Sequence, residues 1–155
     1  MSSLTHKTRI NLVIRNFINM KNVAAAIFIQ DGSVLIARRA NNETLAGYWE
    51  FPGGKQEKDE SIFECLEREI SEEFNVRCKA TEIYLESIYS YEKGTINLIA
   101  ILAELLESCI KLSVHDNYKW VKFDDLIHYN FAPADIPITQ KLIIDYGKNR
   151  KSHSW

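Results

Sequence analysis

Apolar and polar positions repeat with two different periods along this chain, and the places where the period changes mark out the elements. Val23–Gln30 (V-A-A-A-I-F-I-Q) is an apolar run of strand length. Asp31-Gly32-Ser33 is a turn signal after it, and Val34–Arg39 reads as the returning strand of a hairpin. Asn41–Gly47 is polar loop. Tyr48–Phe51 is a short aromatic strand stopped by Pro52-Gly53-Gly54, and Lys55–Glu60 is a charged loop. Ser61-x-x-Glu64 has the form of a capping box, so a helix is expected from there to about Phe74, with Asn75 as its C-cap. Val76–Glu92 and Thr95–Leu105 are long β-rich runs joined at Lys93-Gly94, an antiparallel pair. A short strand near Tyr118–Lys122, a brief helix from Phe123 to His128 and a last helix over Ala132–Asp145 complete the pattern. This order implies an α/β (α+β) sandwich, a mixed sheet with helices on both faces.

Composition narrows the function classes. At 155 residues, 46% hydrophobic and 26% charged, the chain suits one domain with one sizeable core. A formal net charge of -2 gives no basis for a surface that binds polyanions, so an anionic ligand must be held by local charges or metal ions. Cys65, Cys78 and Cys109 are odd in number and form no C-x-x-C pair, which argues against a disulfide framework or a thiolate zinc site and for a reducing, cytoplasmic setting. No apolar run approaches the roughly 18–20 residues of a membrane span. Residues 1–30 lack Asp and Glu but carry Lys7, Arg9, Arg15 and Lys21, a pattern open to an organelle-targeting leader or to a plain extension; Met20 is an alternative start. The division expected is an extension over 1–21, one main domain over 22–147 and a basic tail over 148–155.

The informative segment is 57–73. It holds Glu57, Asp59, Glu60, Glu64, Glu67, Glu69, Glu72 and Glu73 against Lys58 and Arg68. Stepping about 100° per residue, Ile62, Phe63, Leu66, Ile70 and Phe74 share one core-facing arc. Glu73 falls inside that arc, Glu69 on its edge and Glu72 one step further out. A solvated acidic face accounts for Glu64 and Glu67. It does not account for carboxylates in a buried stripe, which are costly unless paired or bound to a cation. Glu69 and Glu73 are neighbours on the helix surface, and oxygen-only donors select Mg²⁺, Mn²⁺ or Ca²⁺.

The run Gly54-(five residues)-Glu60-(seven residues)-Arg68-Glu69-Ile70-Ser71-Glu72-Glu73-Phe74-Asn75-Val76 resembles the Nudix box, G-x5-E-x7-R-E-U-x-E-E-x-G-U. Its one departure is Asn75 in place of the usual Gly, at a helix end where Asn tolerates the left-handed conformation. Ala37-Arg38-Arg39, Trp49-Glu50-Phe51-Pro52-Gly53-Gly54-Lys55 and Ala132-Pro133-Ala134-Asp135-Ile136-Pro137 extend the likeness to the MutT branch, and within it to the CTP and oxidised-nucleotide pyrophosphohydrolases.

What the resemblance implies is a Nudix-type sandwich that hydrolyses a nucleoside triphosphate to monophosphate and pyrophosphate with Mg²⁺, Mn²⁺ serving as a substitute. It implies Glu69, Glu73 and the Gly53 carbonyl as metal ligands, Glu72 supporting them or acting as base, and Glu60 close by. Arg68 would orient the carboxylates, while Arg39 and Lys55 would meet phosphate oxygens unless they are plain surface cations. Phe51 would line the base pocket. Asp135 would face the base, accepting from an amino group such as cytosine N4, or else would cap the last helix. Many relatives carry a Glu six residues before the Trp of the penultimate strand; here that position is Val114, with Asp116 or His115 as possible substitutes. The expected partner is a small nucleotide, not stably bound nucleic acid or a membrane, for a monomer or homodimer. Alternatives are a hydrolase of ADP-ribose or dinucleoside polyphosphates, an enzyme acting on capped or 5′-phosphorylated RNA, and a non-catalytic nucleotide sensor.

Overall fold

The structure, a computed structural model, describes residues 5–148. Strand β1 (Lys21–Gln30) organises the rest because each of its edges is used. On one side it pairs in parallel with β6 (Gly94–Leu105), from Lys21↔Ile96 to Phe28↔Ala103, and β6 in turn pairs antiparallel with β5 (Cys78–Tyr91). Its other edge is divided. Val23–Ala25 takes the short antiparallel β4 (Gly53–Lys55), whereas Ile29 and Gln30 take β2 (Ser33–Arg39). Strand β2 then pairs with β3 (Trp49–Glu50) and β7 (His115–Lys122). The sheet is mixed, as the pattern predicts.

Alternation along β1 distributes its side chains between two cores. Ala24, Ala26 and Phe28 meet Leu66, Ile70 and Phe74 of α2 (Ile62–Phe74). Ala25 and Ile27 face the opposite core, with Ile138 and Leu142 of α3 (Ile136–Tyr146). The result is three layers, helix on sheet on helix. Helix α2 begins at the expected box: Ser61 Oγ accepts from the Glu64 N–H at 3.1 Å, and the Glu64 carboxylate accepts from the Ser61 N–H at 2.7 Å. It ends at Asn75, with φ 55° and ψ 34°.

Four local features differ from the pattern. Helix α1 (His6–Ile18) forms where only an extension was expected, with Thr5 as its N-cap. Gly53 and Gly54 do not merely stop a strand but belong to β4, because Gly53 has no Cβ to collide with the Ala24 carbonyl. Strand β7 starts at His115 rather than Tyr118. The segments Phe123–His128 and Pro133–Asp135 are 3₁₀ turns, and the last helix begins at Ile136 with Pro137 in its first turn, where a missing N–H costs nothing. Apart from Lys148, the basic tail 148–155 lies outside the described residues.

Candidate active site

Helix α2 and strand β4 meet at a glycine pair. A Cβ on Gly54 would land on the Glu69 carboxylate, so this position must stay bare for Glu69 to lie against the β4 backbone. The burial of the helix acids follows their place on the arc: the Glu73 side chain is 14% exposed, Glu69 16% and Glu72 61%. Arg68 ties the group together. Its Nε donates to Glu60 Oε2 at 3.0 Å and its Nη2 to Glu60 Oε1 at 2.7 Å, while Nη1 reaches Glu69 Oε1 at 2.9 Å and Glu72 Oε2 at 3.3 Å. This fork holds the Glu60 pKa down at about 2. Arg68 is thus enclosed by carboxylates and by the Lys55 carbonyl at 3.2 Å.

Glu73 has no such partner. Burial, with the Glu50 and Glu69 charges adding to it, raises its pKa to about 9 against the opposing pull of the Gly53 N–H and Arg39. Its Oε2 is buried without a hydrogen-bond partner. Across from it stands His115, 3.9 Å from Nδ1 to Glu73 Oε2, and that Nδ1 also lacks a hydrogen-bond partner.

The chain reaches this point through the end of α2. The terminal carbonyls, which a helix cannot satisfy itself, accept from the loop between β6 and β7: Lys111 N–H to Phe74 O at 3.0 Å and Ser113 N–H to Glu73 O at 2.9 Å. Asn75 Nδ2 adds bonds to Lys111 O at 2.7 Å and Ser113 Oγ at 3.0 Å. Two residues later His115 is delivered against Glu73. Of the two suggested substitutes for the absent Glu at 114, Asp116 is held elsewhere, 2.7 Å from Arg38 Nε.

Glu73, His115, Gly53 and Gly54 border a cleft of about 1130 Å³, which Arg39, Lys55, Phe51 and Asp135 also line, whereas Glu69, Glu72 and Arg68 are not among its lining residues. Arg39 is anchored rather than loose, donating to Glu50 Oε2 at 2.9 Å and to the carbonyl and hydroxyl of Thr44. Phe51 stacks on Phe131, with ring centroids 5.4 Å apart. Asp135 does not cap α3 with its side chain. Its Oδ1 accepts the Phe51 N–H at 3.0 Å, and burial, reinforced by Glu50, lifts its pKa well above the usual carboxylate range. Glu50 joins these features and was not singled out in the sequence, although its place in Trp49-Glu50-Phe51 was a visible signal: a lone acid between aromatic residues of a strand. Asn16 and Asn19 of the α1 region also line the cleft, and nothing in their composition pointed there.

Among the described residues no group of three or more His, Cys, Asp or Glu side chains is arranged to hold a metal ion. The oxygen donors at hand nevertheless suit a hard divalent cation. Glu69 is pressed against bare backbone, and Glu73 offers a buried oxygen that nothing else satisfies.

A NUDIX domain family model matches residues 20–142, and the chain belongs to the Nudix hydrolase family. It is 33% identical over 121 residues to the CTP pyrophosphohydrolase of Escherichia coli K12, covering 78% of this chain and 90% of that protein. It is 30% identical over 121 residues to the 8-oxo-dGTP diphosphatase of Buchnera aphidicola, covering 78% and 92%. The solution structure of the E. coli ORF135 protein superposes with a TM-score of 0.71 at 30% identity, over 84% of this chain and 94% of that one. Nudix hydrolases generally act with a divalent metal on small nucleotide substrates, and among the described residues no helix is long and apolar enough to cross a membrane.

Proposed function

We propose that this chain hydrolyses nucleoside triphosphates to monophosphate and pyrophosphate with Mg²⁺, or Mn²⁺ in its place, and that cytosine nucleotides or oxidised purine nucleotides are its substrates. The single observation that carries this reading is Glu73, a helix acid that lines the cleft and keeps a buried Oε2 without a hydrogen-bond partner. Glu69, Glu73 and the Gly53 carbonyl would hold the cation. When bound, it would neutralise phosphate oxygens and lower the pKa of the attacking water.

The chain's own residues do the rest. Glu72, the most exposed of the three helix acids, accepts the proton of the attacking water. Arg68 keeps Glu69 and Glu72 in place without leaving its ring of carboxylates. Lys55 and Arg39 face the phosphate chain from the rim of the cleft. Phe51 and Asp135 form the base pocket. Beyond the Phe51 N–H, the Asp135 carboxyl has further acceptor lone pairs. Cytosine presents the amino donor such an acceptor wants.

The relatives named for CTP and for 8-oxo-dGTP support both substrate types. The buried Cys65 and Cys78 and the exposed Cys109, all free, support a reducing cytoplasmic setting. Pyrophosphate release with Mg²⁺, measured across CTP, dCTP, 5-substituted cytidine nucleotides, 8-oxo-dGTP, ADP-ribose and diadenosine polyphosphates, tests the reading. Turnover confined to the last two would overturn it.

A further inference from the structure

All 21 acids of the chain lie from Asp31 to Asp145. Before them come Lys7, Arg9, Arg15 and Lys21, and after them Lys148, Arg150 and Lys151. The molecule therefore has an acidic body and acid-free ends, and one of those ends is a folded helix.

Helix α1 buries none of its residues. At 100° per residue, Val13, Phe17, Ile10, Ile14 and Ile18 occupy a continuous arc, and they are 53%, 62%, 45%, 49% and 75% exposed. Arg9 borders this arc on one side and Arg15 on the other, and Lys7 lies at its edge between Ile14 and Ile18. Asn16, on a different side of the helix, lines the nucleotide cleft, so the apolar arc looks away from the substrate path. Contiguous exposed apolar surface of this kind marks a docking face.

We propose that α1 is an in-plane anchor for an anionic lipid surface. Its apolar arc would enter the boundary between headgroups and acyl chains, and Lys7, Arg9 and Arg15 would meet lipid phosphates. The 13 residues of α1 span about 20 Å, short of the roughly 30 Å hydrocarbon layer, so the helix lies on the bilayer and does not cross it. The charge pattern selects this occupant. A second α1 would bring like charges together along both borders of the arc, whereas anionic headgroups match a basic rim around an apolar centre. Long Lys and Arg side chains can lie along the apolar surface while their charges stay with the headgroups. The inference does not rest on the identity of the nucleotide.

The test uses the full chain and vesicles of phosphatidylcholine alone or mixed with phosphatidylglycerol, separated by sedimentation. Binding is expected on the anionic vesicles, with weakening in high salt and little binding on the neutral ones. Changing Lys7, Arg9 or Arg15 to Gln should each weaken it about fivefold. The double variant Val13→Glu/Phe17→Glu should abolish vesicle binding and leave hydrolysis of soluble nucleotide at the wild-type rate. Absence of binding to anionic vesicles overturns the proposal. So does equal binding to both vesicle types, or binding that survives in the double variant. A dimer that the double variant breaks, with no vesicle binding by the wild type, assigns the face to self-association instead.

Discussion

His115 Nε2 stands 2.9 Å from Glu50 Oε1, and the same Glu50 accepts from Arg39 Nη1 through its other oxygen at 2.9 Å. One carboxylate thus joins β7 to the arginine that lines the cleft. The other ring nitrogen of His115, Nδ1, faces Glu73 Oε2 at 3.9 Å. His115→Leu would remove this hydrogen-bond partner and leave Glu50 supported from one side only. The expected loss is about 1–3 kcal/mol of stability, read by urea denaturation, with a smaller loss for His115→Gln.

Glu73 makes stability depend on pH in the metal-free protein. Its pKa, raised to about 9 from an ordinary 4.5, means that folding binds its proton more tightly. That contribution is full below about pH 4.5 and is lost as the pH rises toward 9. Asp135 adds to the trend in the same direction. Without metal, thermal melting should therefore fall between pH 5 and pH 8, and Glu73→Gln should flatten the slope and raise the melting temperature at pH 8. Adding Mg²⁺ should stabilise the wild type and not the variant. Turnover in Glu73→Gln should drop by at least about a hundredfold; wild-type turnover would sink the assignment.

Gly54→Ala tests the contact between β4 and α2 without altering any charge. The new methyl must displace the Glu69 carboxylate. A titration of activity against Mg²⁺ should show a higher requirement for the ion, and circular dichroism should show an intact fold.

Asp135→Ala removes the acceptor of the Phe51 N–H together with the polar group that the proposed function assigns to the base pocket. A fall in kcat/KM for the preferred base of about 5- to 150-fold is expected, the range of one good polar contact to a base. Bases with no polar contact there should lose much less, and a uniform loss would mean that Asp135 only shapes the pocket.

Asn75→Ala should destabilise the protein by about 1–2 kcal/mol, because alanine resists the left-handed conformation and cannot hold the 111–113 loop. Asn75→Gly relieves the backbone but still loses the tether. Chemical denaturation of both variants separates the two effects.

How much of this was legible in the chain depends on how local each cause is. Helix α2, its capping box and its Asn75 end are written in consecutive residues, as is the arc that places Glu73 inward. The layered mixed sheet also follows from pattern, since apolar runs of strand length need both faces covered. Helix α1 was missed because it is not held by a packed face: its stripe is apolar, but none of its residues is buried. The short β4 was hidden by its own glycines, which read as a stop until the Ala24 carbonyl is placed against them.

The sequence by itself determined which acids share a helix face, which residues end that helix, and the spacing that marks the Nudix family. Periodicity and backbone preference act over a few residues, so a linear reading can reach them. Tertiary structure alone decided that His115 and Glu50 meet, that Asp116 turns to Arg38 instead, and that Asp135 spends an oxygen on the Phe51 amide. Those pairings depend on strand register and on how a loop caps α2, and separations of 65, 78 and 84 residues leave no local trace.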